Sequence, residues 1–193
     1  HDTNLRRVSG ADVEIAKTTR AQLLSYAAYE PARHGEHFIE EPISPLESLV
    51  QILQNHPEVT AFVELKDESI AHCGREIITE SVSSILAPVM NQVVIMSFDY
   101  QLAVASREAE WPLVGVVLRN WSDLDHPLVI RARPDYIYVD HKLVPADFNR
   151  DSAQQLNNCK LVTYEVGNKE LGRELLDRGV DMLETFDIAQ LIG

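Results

Sequence analysis

An α/β fold built on a parallel sheet is the class this sequence predicts, and three observations predict it. Apolar or β-branched runs recur at Val59 to Leu65, Gln92 to Ser97, Leu113 to Leu118, Tyr136 to Val139, Lys160 to Val166 and Val180 to Glu184. Segments with helical periodicity lie between these runs. The runs themselves are apolar enough to be strands covered by a helical layer, so ligands are expected at their C-terminal ends. The chain is read as a single domain over residues 1–193, because 193 residues suffice for one substantial core.

Residues 1–43 read as loop and short helix ahead of the first full βα repeat. Arg6-Arg-Val-Ser-Gly10, Thr18-Thr19 and the aromatic stretch Tyr26 to Tyr29 show no strand followed by a long crossover. Arg33-His-Gly-Glu-His37 lacks the i, i+4 histidine pair of a zinc metallopeptidase and contains a turn glycine, so His34 and His37 read as solvated loop residues. Ser44-Pro-Leu-Glu47 then predicts a helix start, with serine as N-cap, proline in the first turn and glutamate at N3. Leu46, Leu49, Val50 and Leu53 form its apolar face. A second helix is predicted over Gly74 to Ala87, with Ile77, Ile78, Val82, Ile85 and Val89 in period. Asp99 predicts a cap for a helix carrying Leu102 and Val104, and Lys169 to Arg178 ends against Gly179.

The formal charge of −13 and the absence of a basic stripe disfavour nucleic acid as a partner. Cys73 and Cys159 stand far apart without metal-ligand spacing and read as two reduced thiols. No apolar run approaches the ~20 residues of a membrane span. No signal-peptide pattern opens the chain, and a cytoplasmic location is expected. No Walker loop or G-x-G-x-x-G is present, so any phosphate chemistry must use side chains.

The chemistry concentrates at Ala61-Phe-Val-Glu-Leu-Lys66. Side chains alternate across a strand, so Glu64 and Lys66 share one side at the end of the first strand, one able to hold a cation and the other an anion. A charged pair at a solvated strand edge is the plainer alternative.

Five segments in fixed order resemble the glycerophosphodiester phosphodiesterase family. His1-Asp-Thr-Asn-Leu-Arg-Arg-Val-Ser-Gly10 is similar to its H-D-x-x-L-x-R-x-x-G segment, and Pro45-Leu46-Glu47 to the opening of its next helix. Phe62-Val-Glu-Leu-Lys66 resembles its I-E-L-K strand, Ile95-Met-Ser-Phe-Asp99 its I-x-S-F-D strand end, and Gly179-Val-Asp-Met-Leu-Glu-Thr185 its closing G-V-D-x-x-x-T. The resemblance implies a TIM-type (β/α)8 barrel, represented here by about six strands; a closed barrel takes ~250 residues. An open doubly wound sheet, with reversed strand order, is the competing fold.

The resemblance further implies metal-dependent hydrolysis of glycerophosphodiesters to glycerol 3-phosphate and an alcohol by histidine acid/base catalysis. It assigns His1 and Lys66 as catalytic, Glu64 as metal ligand and Tyr164 as substrate-binding, with Mg²⁺ or Ca²⁺ as cofactor. Phe98, just past a candidate strand, reads separately as an apolar, substrate-binding wall of the pocket mouth, with ordinary core packing as the alternative. Tyr164-Glu-Val-Gly-Asn168 departs from the family's W-T-V-N, and Phe186 stands where an aspartate is usual; both bear on substrate preference. The family's H-R-G and E-x-D strands have no counterpart in the chain. The expectation is therefore an incomplete barrel whose open edge is covered by a missing N-terminal segment or an oligomeric partner, and which is inactive alone. A noncatalytic barrel-like protein binding a phosphate-containing metabolite is the alternative.

Overall fold

The computed structural model describes residues 2–156 and 158–192. The chain divides into two compact units, His1–Val59 with Glu68–Val89, and Thr60–Asp67 with Met90–Gly193.

The first unit holds α1 (Arg6–Ser9), α2 (Arg20–Leu23), α3 (Pro31–His34), α4 (Leu46–Asn55), nearly all of α5 (Asp67–Cys73), and α6 (Arg75–Leu86). Single-turn helices dominate residues 1–43, tied by isolated bridges between Asn4 and Glu14 and between Ala27 and Pro42. Thr19 and Gln22 close a reciprocal capping box on α2. Helix α4 starts one residue later than the sequence predicts. Pro45, not Ser44, occupies its cap position with extended backbone, and no side chain caps it. The predicted apolar face is the inner one, with Leu53 fully buried, and α4 packs on α6 through it. On α6 the buried stripe is narrower than predicted: Val82 and Leu86 are buried while Ile77 is 62% exposed. The predicted segment also misses α5, whose Asp67-Glu-Ser start directly follows Lys66.

The second unit is a parallel sheet of β1 (Ala61–Glu64), β2 (Val93–Ser97), β3 (Leu113–Val117), β4 (Tyr136–Asp140), β5 (Lys160–Tyr164) and β6 (Met182–Leu183), ordered as in the sequence. Sequential order excludes the doubly wound alternative, which reverses direction at a switch point. The helices are α7 (Tyr100–Glu108), α8 (Pro127–Ala132), α9 (Lys169–Asp177) and α10 (Ile188–Ile192). Asp99 caps α7 as predicted, its carboxylate accepting from the Gln101 and Leu102 amides.

Curvature of the sheet follows from its ring contacts. Phe62 on β1 meets Tyr136 and Tyr138 on β4 at centroid distances of 5.0 and 5.3 Å. Three flat strand spacings would separate those rings by about 14 Å. The sheet therefore curls toward a barrel, and among the described residues β1 and β6 do not pair to close it. Alternation sorts the residues accordingly. Met96, Val117, Tyr138 and Val162 form a lumen cluster, joined by Phe62, Phe98, Tyr136, Tyr164 and Met182. Val93, Ile95, Val114, Val116, Ile137, Val139 and Leu161 have the opposite parity and are fully buried beneath the helices, α7 packing on β2 and β3.

Two side chains fasten the helical layer to the strands. Trp111, 5% exposed, donates its indole N–H to the Val93 carbonyl at 2.9 Å, so this ring is a structural clamp onto β2. Arg107 of α7 donates to the Ala132 and Arg133 carbonyls and pairs with Asp135 at 2.5 Å, while Asp135 also accepts from the Val114 amide. Among the described residues no helix is long and apolar enough to cross a membrane.

Candidate functional site

The C-terminal rim follows as Phe62 then Glu64 on β1, Met96 on β2 then Phe98 just past it, Val117 on β3 then Arg119 two residues past it, Tyr138 then Asp140 on β4, Val162 then Tyr164 on β5, and Met182 on β6 then Glu184 just past it. Apolar residues fill the middle layer, and the last layer is polar or aromatic at nearly every strand. That change is what an α/β barrel requires of a ligand-binding end.

Glu64 and Lys66 meet there. Lys66 Nζ lies 2.6 Å from Glu64 Oε2, with the two side chains 24% and 17% exposed. The intervening Leu65 is buried and donates its amide to the Met96 carbonyl, which carries the β1–β2 pairing one residue past the strand. Ser97 locks the same corner: its hydroxyl donates to the Leu65 carbonyl at 2.7 Å and accepts from the Asp99 amide at 3.0 Å. The second carboxylate oxygen, Glu64 Oε1, is buried with no hydrogen-bond partner among the described residues. A buried carboxylate oxygen left without a donor is costly, and a hard cation satisfies it. Among the described residues no group of three or more His, Cys, Asp or Glu side chains is gathered to hold a metal.

Phe98 and Tyr164, the candidate substrate walls, both pack on the lumen cluster. Tyr164 stands in register opposite Asp140. Its hydroxyl is pushed up from the usual phenol range, first by burial and then by the charges of Asp140, Glu64 and Glu184. The strand ends at Tyr164; beyond it Val166 is fully buried near Gly172 of α9, and Glu165 is exposed. His1 lies outside the described residues. The neighbouring Asp2 is gripped by Arg7 through two hydrogen bonds of 2.8 and 3.0 Å, which holds its carboxyl below the usual range.

Sequence reasoning passed over three rim residues, Arg119, Asp140 and Glu184. The Arg119 guanidinium sits 5.1 Å from the Phe98 ring centroid and pairs with Asp67. Strand parity would have found it, since Gly115, Val117 and Arg119 alternate, but only once the lumen side was known. Trp121 packs edge-on against Phe148 at 5.1 Å, and the Asp123 carboxylate accepts from the Asn120 amide at 3.0 Å in the capping box of that turn.

Beside Arg119, the Tyr100 hydroxyl donates to Asp123 at 2.8 Å and accepts from the Arg119 amide at 3.2 Å. Burial is the main reason its pKa is pushed up to about 12 from 10.0. Folding thus favours the neutral phenol; that contribution is complete below pH 10 and lost as pH rises through about 12. Tyr100→Phe is expected to flatten the alkaline fall of the thermal midpoint across that window, followed by circular dichroism. Identical alkaline slopes in variant and parent would contradict it.

No family model matches the sequence, and no curated protein does. Solved structures do. A phosphodiesterase of Oleispira antarctica, in complex with the product sn-glycerol-3-phosphate, superimposes with a TM-score of 0.74 at 20% identity, over 96% of this chain and 73% of its own. A glycerophosphodiester phosphodiesterase of Parabacteroides distasonis gives 0.74 at 15% identity over 99% and 74%. One from Agrobacterium tumefaciens gives 0.69 at 12% over 96% and 75%. The fold is that of the glycerophosphodiester phosphodiesterases. Identities of 12 to 20% make this a likeness of fold, and the chain spans about three quarters of each structure's length.

Proposed function

We propose that the protein hydrolyses glycerophosphodiesters to glycerol 3-phosphate and an alcohol with the help of a divalent cation, Mg²⁺ or Ca²⁺. The observation that carries this reading is the Glu64–Lys66 corner: a carboxylate oxygen buried without a donor, and an ammonium 2.6 Å from the other oxygen, at the rim of a phosphodiesterase fold. The fold match to a phosphodiesterase seen with sn-glycerol-3-phosphate supports the substrate class.

Glu64 would hold the cation through Oε1. When bound, the cation supplies positive charge to the phosphoryl oxygens as charge builds in the transition state. Lys66, kept in place by Glu64, directs its ammonium at the same phosphoryl group. Phe98 and Tyr164 wall the substrate and exclude water from one side. His1 would take the proton from the attacking glycerol hydroxyl or return one to the leaving alcohol, a task suited to an imidazole. Attack by the hydroxyl next to the phosphate releases the alcohol and leaves a cyclic phosphodiester, which water opens to glycerol 3-phosphate.

The test is release of glycerol 3-phosphate by the protein purified at its full natural length, with and without a chelator. Chelation is expected to abolish turnover and either cation to restore it. Lys66→Met is expected to lower kcat at least about tenfold while leaving the fold intact, since each tenfold corresponds to ~1.4 kcal/mol of transition-state stabilisation. Phosphodiester binding without turnover in the metal-loaded protein would instead favour a noncatalytic metabolite-binding protein.

A further inference from the structure

We propose that the chain carries a second binding site, for an alkyl carboxylate, in a cavity of the helical layer at the N-terminal ends of β4 and β5. It does not depend on the diesterase reading above. The cavity follows from how the chain crosses between those strands. Helices α7, α8 and α9 make the crossings from β2, β3 and β5, whereas between β4 and β5 the described residues form single turns at His141–Leu143, Arg150–Ser152 and Gln154–Leu156. The layer is thin there, and a cavity of about 400 Å³ opens between α8 and the segment leading into β5, within the size range of small-molecule sites. Its inner wall is apolar: Leu124, Val129 and Ile137 line it and are buried, while Ile130, 61% exposed, stands at its border. Ile137 faces away from Tyr136 and Tyr138 of the lumen cluster, so the cavity lies on the opposite face of the sheet from the lumen.

The charged side chains that line the cavity are Arg133 and Asp135. Asp135 is already engaged, by Arg107 at 2.5 Å and by the Val114 amide at 2.8 Å. Arg150, on the Cys159 side, is engaged too, by Asp181 at 2.9 Å and by the Leu156 and Cys159 carbonyls at 2.9 and 2.6 Å. Among the described residues the Arg133 guanidinium has no ion-pair or hydrogen-bond partner. Its backbone ends α8 at φ 45° and ψ 61°, the left-handed region usually given to glycine, and its carbonyl is tied to Arg107 at 2.9 Å. An arginine kept where glycine would fit without strain points to a use for its side chain.

A cation over an apolar wall selects a ligand with both parts. The guanidinium pairs with a carboxylate, and the alkyl body covers Leu124, Val129 and Ile137. An alkyl alcohol gains the second contact alone, and inorganic phosphate the first alone. A positive charge at a helix C-terminus also favours α8 itself, but that role needs no cavity and no ligand.

The test uses the protein at its full natural length with octanoate, octanol and inorganic phosphate, and reads calorimetric binding together with the alkylation rates of the two thiols. Cys159 lines the cavity and is partly buried, whereas Cys73 is exposed and serves as the reference. Octanoate is expected to slow alkylation of Cys159 at least about fivefold and leave Cys73 unchanged, to bind about tenfold more tightly than octanol, and phosphate to give no protection. Arg133→Gly, and Arg133→Asn as a second residue tolerant of the turn, are expected to lose the preference for octanoate while keeping the parent's thermal midpoint. Equal binding of octanoate and octanol, protection by phosphate, or unprotected Cys159 in the parent overturns the proposal. So does an undiminished preference in the variants; with a lowered midpoint it would leave Arg133 as a helix-end charge alone.

Discussion

Replacing Glu64 by glutamine is expected to lower cation-dependent glycerophosphodiester hydrolysis at least about a hundredfold, a loss on the scale of removing one preorganised charge-stabilising group. Glutamine keeps the shape of the side chain but removes the charge that would serve two partners, the proposed cation at the unsatisfied Oε1 and the Lys66 ammonium at Oε2. The fold should survive, because Lys66 ends at an open rim and can extend its ammonium to water. Steady-state rates across a cation titration, beside circular dichroism of parent and variant, make the check. A variant that reached the parent's kcat at saturating Mg²⁺ or Ca²⁺ would remove Glu64 from the metal site.

The largest effect on stability is expected at Gly115. A Cβ there would lie 2.8 Å from Met96 Cβ and 3.1 Å from Val94 Cγ1, on the lumen face between β2 and β3. Met96 Cβ is fixed to its backbone and cannot swing aside, so even alanine forces the two strands to shift. Gly115→Val adds branches to a layer already filled by Phe62 and Tyr136 in ring contact. The expected cost is about 3 kcal/mol, at the upper end for overpacking. For a chain of this size that lowers the thermal midpoint by roughly 6 to 12 °C. Scanning calorimetry or a urea titration measures it, and a shift within about 2 °C would mean that the strands yield far more easily than close packing allows.

Much of this protein was legible without coordinates. The six strands lie within or close to the apolar runs, because strands buried on both faces must be apolar and few other segments are. The Asp99 cap and the Gly179 stop after α9 were equally plain, since capping and positive φ are local requirements. The juxtaposition of Glu64 and Lys66 followed from alternation alone. Ser44 and Ile77 misled, because in each case a neighbour decided the outcome: a proline at the cap position and the limited width of the α4–α6 contact.

Tertiary structure alone decided which face of each strand became the lumen, and with it the membership of the rim. Arg119, Asp140 and Glu184 follow one another at gaps of 21 and 44 residues in the chain, and no local pattern links them. They share a layer because six parallel strands pair in sequential order and the sheet curls until Phe62 touches Tyr136. Residue type and period determine elements, since those depend on contacts a few residues away. Register and curvature determine the site, since those are settled only when distant strands pack and exclude every arrangement but one.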